Sequence, residues 1–392
     1  MGNKQIEQHN LNKSECQALK DQLGQNFSKF TLNLYKKLAK TQNLIFSPAS
    51  IYIALSMTAL GSNNNTLLEF KNILGFSNQS QLAENTGSLL KILQQNQSGI
   101  TAQIANQIYQ GMSQLGVEYQ KMMIEHFGSE IQQVNFVSDS EKIRIEINKL
   151  VEAITKDKIK NLLPPNSLSS QTEMVLVNAI YFKGNWQNKF ESKQTQQEEF
   201  YLEYENIGQK IKTDTMIRED DYFYFQNNSY QYIQIPYQGG QYFMELMLPK
   251  QQLSLFEQNL SYDQLNYARK NKYNKKLTLY LPKFKIQPEN TISLNQILNE
   301  LGLIDAFTSD ADFSIMNPNQ SVKISRVYHK SMIEVNEEGA EAAAATAVTF
   351  LMNCKPKQIS VKFNKPFIYA ITHIPSETVL FMGKVTDPSK QK

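Results

Sequence analysis

The run Met174-Val-Leu-Val-Asn-Ala-Ile-Tyr-Phe182 constrains the fold more than any other stretch of the chain. It is β-branched and aromatic, and apolar at odd and even positions alike. Successive side chains of a strand point to opposite faces. A strand of this composition therefore needs cover on both sides and reads as the centre of a buried sheet. Hydrophobic residues make up 41% of the 392 residues and aromatics 10%, enough for a large core, which excludes a disordered chain.

The elements around that strand set the class. Phe27, Phe30, Leu34 and Leu38 recur at helical spacing. Ser47 with Pro48 opens a second helix that Gly61 closes, and the residues between are apolar nearly all round, so this helix is buried. Residues 66–163 read as further helices, with Ile104, Ile108 and Tyr109 as a strand among them. Tyr222–Phe225, Tyr232–Ile235, Tyr242–Leu248, Leu277–Leu281, Phe367–Thr372 and Thr378–Val385 read as strands, and Ile297–Phe307 as a helix. Helices lead and strands dominate later, so the class is α+β. No repeat or Gly/Ser-rich linker divides the chain, and residues 1–392 read as one domain.

Composition excludes several functions. With 40 Lys+Arg against 37 Asp+Glu, the formal charge of +3 is no nucleic-acid binder's basic excess. Only Cys16 and Cys354 are present, which rules out a disulfide framework and suits a reducing compartment. The first ten residues have no apolar signal core, and Val175–Phe182 and Ala342–Met352 are far too short to span a membrane. Gly2 suits an acylation start, but Ile6 stands where Ser or Thr is wanted. The expected location is cytoplasmic.

Catalytic signatures are missing from the sequence. The four histidines (His9, His126, His329, His373) form no metal-ligand pair, and neither a Gly-x-Ser-x-Gly elbow nor a phosphate-binding loop occurs. Cys354 sits in Asn353-Cys354-Lys355-Pro356-Lys357 with no sequence signature for a base. The chain is read as a non-enzyme with no cofactor and no metal.

Glu337-Glu338-Gly339-Ala340-Glu341-Ala342-Ala343-Ala344-Ala345-Thr346-Ala347-Val348-Thr349-Phe350 breaks the local rules. Its alanines suit a helix, but it ends in β-branched and aromatic residues. As a strand, one face carries Ala340, Ala342, Ala344, Thr346, Val348 and Phe350, uncharged and small until its far end. Such a row can slide between existing strands without a steric or desolvation barrier.

In these residues the chain resembles the serpins, over nearly its whole length from about residue 27 to Pro388. The marks are Asn43-Leu-Ile-Phe-Ser-Pro-Ala-Ser50, Val177-Asn178-Ala-Ile-Tyr-Phe-Lys-Gly-Asn-Trp186, Glu337–Thr346, Phe363-Asn-Lys-Pro-Phe367 and Leu380-Phe-Met-Gly-Lys384. The resemblance, to the intracellular type without a signal peptide, implies three β-sheets, eight or nine helices and an exposed reactive-centre loop. Residues 1–26 would then be an N-terminal extension with the start of the first helix, and 337–362 the hinge and loop.

It also implies a suicide inhibitor that traps a serine or cysteine endopeptidase as an acyl-enzyme when the hinge, Glu337 to Thr346, inserts into the central sheet. The alternative is a non-inhibitory member acting as chaperone, carrier or substrate. Family spacing from Gly339 puts the reactive bond at Asn353–Cys354, with Met352–Asn353 the runner-up. Lys355 would suit a trypsin-like enzyme, but Pro356 follows it. Chymotrypsin- or elastase-like serine proteases, or papain-like or asparaginyl cysteine proteases, are the target classes left.

A shutter cluster matches Ser47, Ser50, Asn178 and His329, and a gate matches Trp186 with a Lys283–Glu337 ion pair. Ala340 departs from the Thr or Ser usual in inhibitory members, yet it is small and uncharged. Residues 65–94 hold only Lys71 and Lys91, so no heparin partner is expected. Nor is a nucleic-acid or membrane partner, and the chain is expected to be a monomer.

Overall fold

A computed structural model of the protein describes residues 13–94, 99–203, 209–339 and 359–390. The helices among them are α1 (Lys13–Leu38), α2 (Pro48–Ala59), α3 (Asn64–Leu74), α4 (Gln79–Gln94), α5 (Val117–Met122), α6 (Phe136–Ile154), α7 (Leu253–Asn259), α8 (Tyr262–Asn271) and α9 (Asn295–Glu300). The first strands are β1 (Leu44–Phe46), β2 (Ile100–Gly111), β3 (Gln132–Val134), β4 (Met174–Gly184) and β5 (Gln196–Tyr201). Next come β6 (Lys210–Gln226), β7 (Tyr230–Pro236), β8 (Tyr242–Pro249), β9 (Tyr273–Pro282) and β10 (Phe284–Ile286). The last are β11 (Ile292–Ser293), β12 (Ile324–Val335), β13 (Ser360–Lys362), β14 (Phe367–His373) and β15 (Thr378–Val385).

The double-sided apolar run becomes β4, the middle of a sheet ordered β10-β12-β4-β2-β3. Its two faces are covered by different cores. Val175, Val177, Ala179 and Tyr181 join Ile143, Ile147 and Val151 of α6. Met174, Leu176, Ile180 and Phe182 join the main core, to which α2 contributes Ile51, Ile53 and Leu55. Every residue of α2 is buried, as its all-round apolar sequence requires; Ser47 caps it and Pro48 opens it.

The other strands run β1-β15-β14-β8-β7-β6-β9-β13, with β5 on β6. The resemblance implies three sheets; the described strands connect into two, of nine and six strands. The 17-residue β6 links the larger one: its first part pairs with β5, its last with β7, and β9 follows both. The stretch Tyr222–Phe225, read as a strand of its own, is the aromatic end of β6. Ile297–Phe307 is not one helix. Gly302 takes φ +105°, a left-handed conformation that ends α9, and a separate 3-10 turn follows at Asp305–Phe307.

Candidate functional site: the β4–β12 seam and its upper gate

Strands β4 and β12 run parallel and pair directly, from Met174 against Ile324 to Tyr181 against Met332, with a bulge between Ile324 and Arg326. The registers of β2 on β4 and β4 on β12 set Asn106, Asn178 and His329 in one row across three strands. The start of α2 lies against this row and brings Ser47 and Ser50 to it.

The polar groups meet in a chain of hydrogen bonds. The Ser47 backbone N–H donates to His329 Nε2 at 3.1 Å. Nε2 is thus an acceptor, so the neutral ring carries its proton on Nδ1 and donates it to Asn178 Oδ1. Asn178 Nδ2 donates to Ser50 Oγ and to Asn106 Oδ1. Ser50 Oγ reaches Asn106 Oδ1 at 2.9 Å, and the Ser50 N–H donates to Ser47 Oγ at 3.1 Å. Ser47 Oγ donates to the Leu380 carbonyl at 2.6 Å. Ser47, Ser50, Asn178 and His329 are fully buried. Burial holds the His329 pKa down at about 3, so the ring is neutral at pH 7 and serves as a hydrogen-bond partner.

At the upper end of the seam the chain turns back on itself. Asn336 and Gly339 form an antiparallel bridge, with Asn336 N–H to Gly339 O at 3.3 Å and Gly339 N–H to Asn336 O at 3.1 Å. Gly339 has φ +112°, and a Cβ there would lie 2.2 Å from the Gly184 carbonyl oxygen and 2.6 Å from Trp186 N. Only glycine fits this position without a shift of backbone.

The turn is bolted to the end of β4. Trp186 donates its indole N–H to Asn336 O at 2.9 Å and its backbone N–H to Glu338 O at 2.9 Å, while Phe190 N–H reaches Glu337 O at 2.9 Å. Trp186 stacks on Tyr237 with centroids 4.6 Å apart. Glu337 pairs with Lys283 at 3.0 Å and accepts from Thr195 Oγ1 at 2.7 Å. Burial pushes the Glu337 pKa up, but the hydrogen bonds from Thr195 and Lys283 outweigh it and hold the carboxyl below its ordinary range. Lys189 pairs with Glu338.

The structure thus brings Ser47, Ser50, Asn178 and His329 together at mid-seam, and Trp186, Lys283 and Glu337 together at its upper end. Ala340, Glu341, Ala342, Ala343, Ala344, Ala345, Thr346, Met352, Asn353 and Cys354 lie outside the described residues. Sequence reasoning missed Asn106 and Thr195. Asn106 is one of two adjacent polar residues in Ile104–Ile108, and its position opposite Asn178 is visible only in the register. Among the described residues no group of His, Cys, Asp and Glu is arranged to hold a metal, and no helix is long and apolar enough to cross a membrane.

The family model described as serpin (serine protease inhibitor) matches residues 25–388. Iris from Ixodes ricinus is 32% identical over 378 residues, 93% of this chain and 99% of that protein. Leukocyte elastase inhibitor A from Mus musculus is 33% identical over 383 residues, 94% of this chain and 100% of the other. Among solved structures, human thyroxine-binding globulin complexed with thyroxine superposes with a TM-score of 0.84 at 25% identity, covering 95% of this chain and 100% of that one.

Proposed function

This chain belongs to the serpin family, and on that premise we propose that it is a suicide inhibitor of an endopeptidase, with no enzymatic activity of its own. The observation that carries the reading is the upper turn. At the Asn336–Gly339 bridge the chain has turned back on itself, beside a seam whose two strands pair directly. A segment continuing from Gly339 needs only to part β4 from β12 to become a strand between them. The uncharged row from Ala340 to Phe350 suits that slot.

The chemistry follows from a race. The protease nucleophile attacks the carbonyl carbon of Asn353, the Asn353–Cys354 amide breaks, and the Cys354 amine leaves with a proton. Asn353 stays esterified to the protease, or thioesterified to a cysteine enzyme. Water would normally finish the hydrolysis; here the freed hinge inserts first and carries the protease along. A strand of about ten residues gaining roughly 1 kcal/mol per hydrogen bond supplies on the order of 10 kcal/mol. Burying Val348 and Phe350 adds roughly 1.5–3 kcal/mol each. A protease is stable by only about 5–15 kcal/mol, so insertion is strong enough to disorder its active site.

In this reading Ser47, Ser50, Asn106, Asn178 and His329 hold the seam shut, and Trp186, Lys283 and Glu337 hold its upper end. Leukocyte elastase inhibitor A, by its name, acts on an elastase; an elastase- or chymotrypsin-like target suits Leu351 and Met352 here. The two-cysteine composition fits a cytosolic inhibitor.

The second reading, a carrier without inhibitory action, is favoured by the likeness to thyroxine-binding globulin. A protease panel on denaturing gels separates the two. A covalent band at the summed mass supports inhibition; a cut loop with no such band, across serine and cysteine proteases, overturns it. Mass spectrometry of the released C-terminal peptide identifies the bond.

A further inference from the structure

The lower end of the seam carries a clasp of its own. Glu173, just before β4, donates its backbone N–H to Ser325 Oγ at 2.9 Å. Its carboxylate Oε2 accepts the backbone N–H of Lys323, just before β12, at 2.9 Å. Both bonds cross between the same two strands that Asn178 and His329 join higher up. The Glu173 carbonyl also accepts from Gly111 N–H of β2 at 2.8 Å, which anchors Glu173 to the other side of β4. On the β12 side, Asn295 Nδ2 donates to the Ser325 carbonyl at 3.0 Å and Asn295 Oδ1 accepts the Val327 N–H at 2.9 Å. The bulge between Ile324 and Arg326 lies at the same level. The two halves of the clasp are thus each tied to a different neighbour, so they separate when the strands separate.

Strand spacing says when this happens. A segment that starts at Ala340, level with Gly184, passes the 11 residues of β4 and arrives at Met174 at about Phe350. Leu351 then comes level with Glu173. Placing a strand there moves Glu173 and Lys323 apart by about 4.8 Å more, beyond the reach of a 2.9 Å bond. The clasp is opened by the last residues to enter, after the Asn178–His329 contact has been broken.

We propose that Glu173 is a positioning residue for the inhibitory reaction: it holds the far end of the seam closed and sets the rate at which insertion is completed. The proposal rests on the loop-insertion reading above. Its residue acts through the backbone of Lys323 and has no contact with a protease.

The test uses the full chain and a synthetic peptide of residues 340–351, whose uptake is followed on native gels and by mass. Glu173→Ala is expected to take up the peptide about threefold to tenfold faster than wild type, the loss of the one side-chain bond present only in the closed seam. Glu173→Gln keeps an oxygen for the Lys323 N–H and is expected at the wild-type rate. The melting temperature of the peptide-filled form should be the same for Glu173→Ala and wild type, because the clasp is already open there. Equal uptake rates for Glu173→Ala and wild type overturn the proposal. So does a filled form of Glu173→Ala that melts lower than filled wild type, which marks a general packing defect. Failure of wild type to take up the peptide at all overturns the insertion reading itself, and the role of Glu173 with it.

Discussion

His329 and Asn178 sit directly opposite one another on adjacent parallel strands, and the His329 Nδ1–H is given to the Asn178 side-chain oxygen. That contact crosses the line along which the sheet has to open. The groups on either side of it are committed elsewhere: His329 Nε2 to Ser47 on α2, and Asn178 Nδ2 to Ser50 and Asn106. Opening the seam therefore leaves donors and acceptors unpaired in a dry interior until an entering strand covers them.

Asn178→Ala should make the closed state easier to leave. It strands the His329 N–H, at about 1–3 kcal/mol for a buried group left unpaired, while Asn106 Oδ1 keeps its bond from Ser50 Oγ. The expected result is a lower melting temperature for the intact protein and faster spontaneous conversion to a loop-inserted, non-inhibitory form, read as loss of activity over time at 37 °C. Wild-type kinetics of conversion would remove the cluster from the account.

Gly339→Ala tests the turn. Its Cβ would meet the Gly184 carbonyl and Trp186 N at φ +112°, so the intact form should lose on the order of 1–3 kcal/mol. In the inserted form the turn is undone and Ala is tolerated. Thermal melts of intact and nicked Gly339→Ala should show the loss in the intact protein alone.

Acid should weaken the closed state. Burial holds His329 at about 3 and His373 at about 4, both below the ordinary 6.5. Between those values the unfolded chain binds protons that the folded one does not. Stability is thus complete above about pH 7 and falls as pH drops through 6.5 toward 4, by at most about 1.4 kcal/mol per pH unit for each histidine. Melts of the intact protein between pH 7.5 and 5 should show this fall, and His329→Gln should remove about half of it. A flat profile would mean these rings gain a proton without cost.

Thr346→Arg should turn an inhibitor into a substrate. Residue 346 lies on the row that would face the interior after insertion, and a charge there would be buried without a partner. On denaturing gels the covalent band should give way to cleaved protein, with the rate of protease attack unchanged. Undiminished complex formation would count against insertion as the trapping step.

Much of this was legible in the residues, for reasons that also explain the gaps. The double-sided cover of β4 follows from local composition, and α2 from Ser47, Pro48 and an apolar run. Strand β12 was not read as a strand. Arg326, His329, Lys330 and Ser331 break its apolar pattern, and what makes the burial of His329 and Lys330 tolerable is remote. Lys330 Nζ, for one, donates to the carbonyls of Lys160 and Glu289 at 3.0 Å each. The first half of β6 hid for a similar reason: Lys210 to Asp221 carries charges on an exposed face, and only the aromatic end announces itself. The mid-seam residues were reached through family resemblance. Asn106 belongs to no motif that was recognised, and its partners are 56 and 72 residues away in sequence.

The most direct test of a closed seam awaiting its last strand is to cut the loop once with a non-target protease and compare melting temperatures. The account predicts that the nicked protein melts well above the intact one, because residues 340–350 have then joined the sheet. Nicked protein that melts at or below the intact temperature would contradict it.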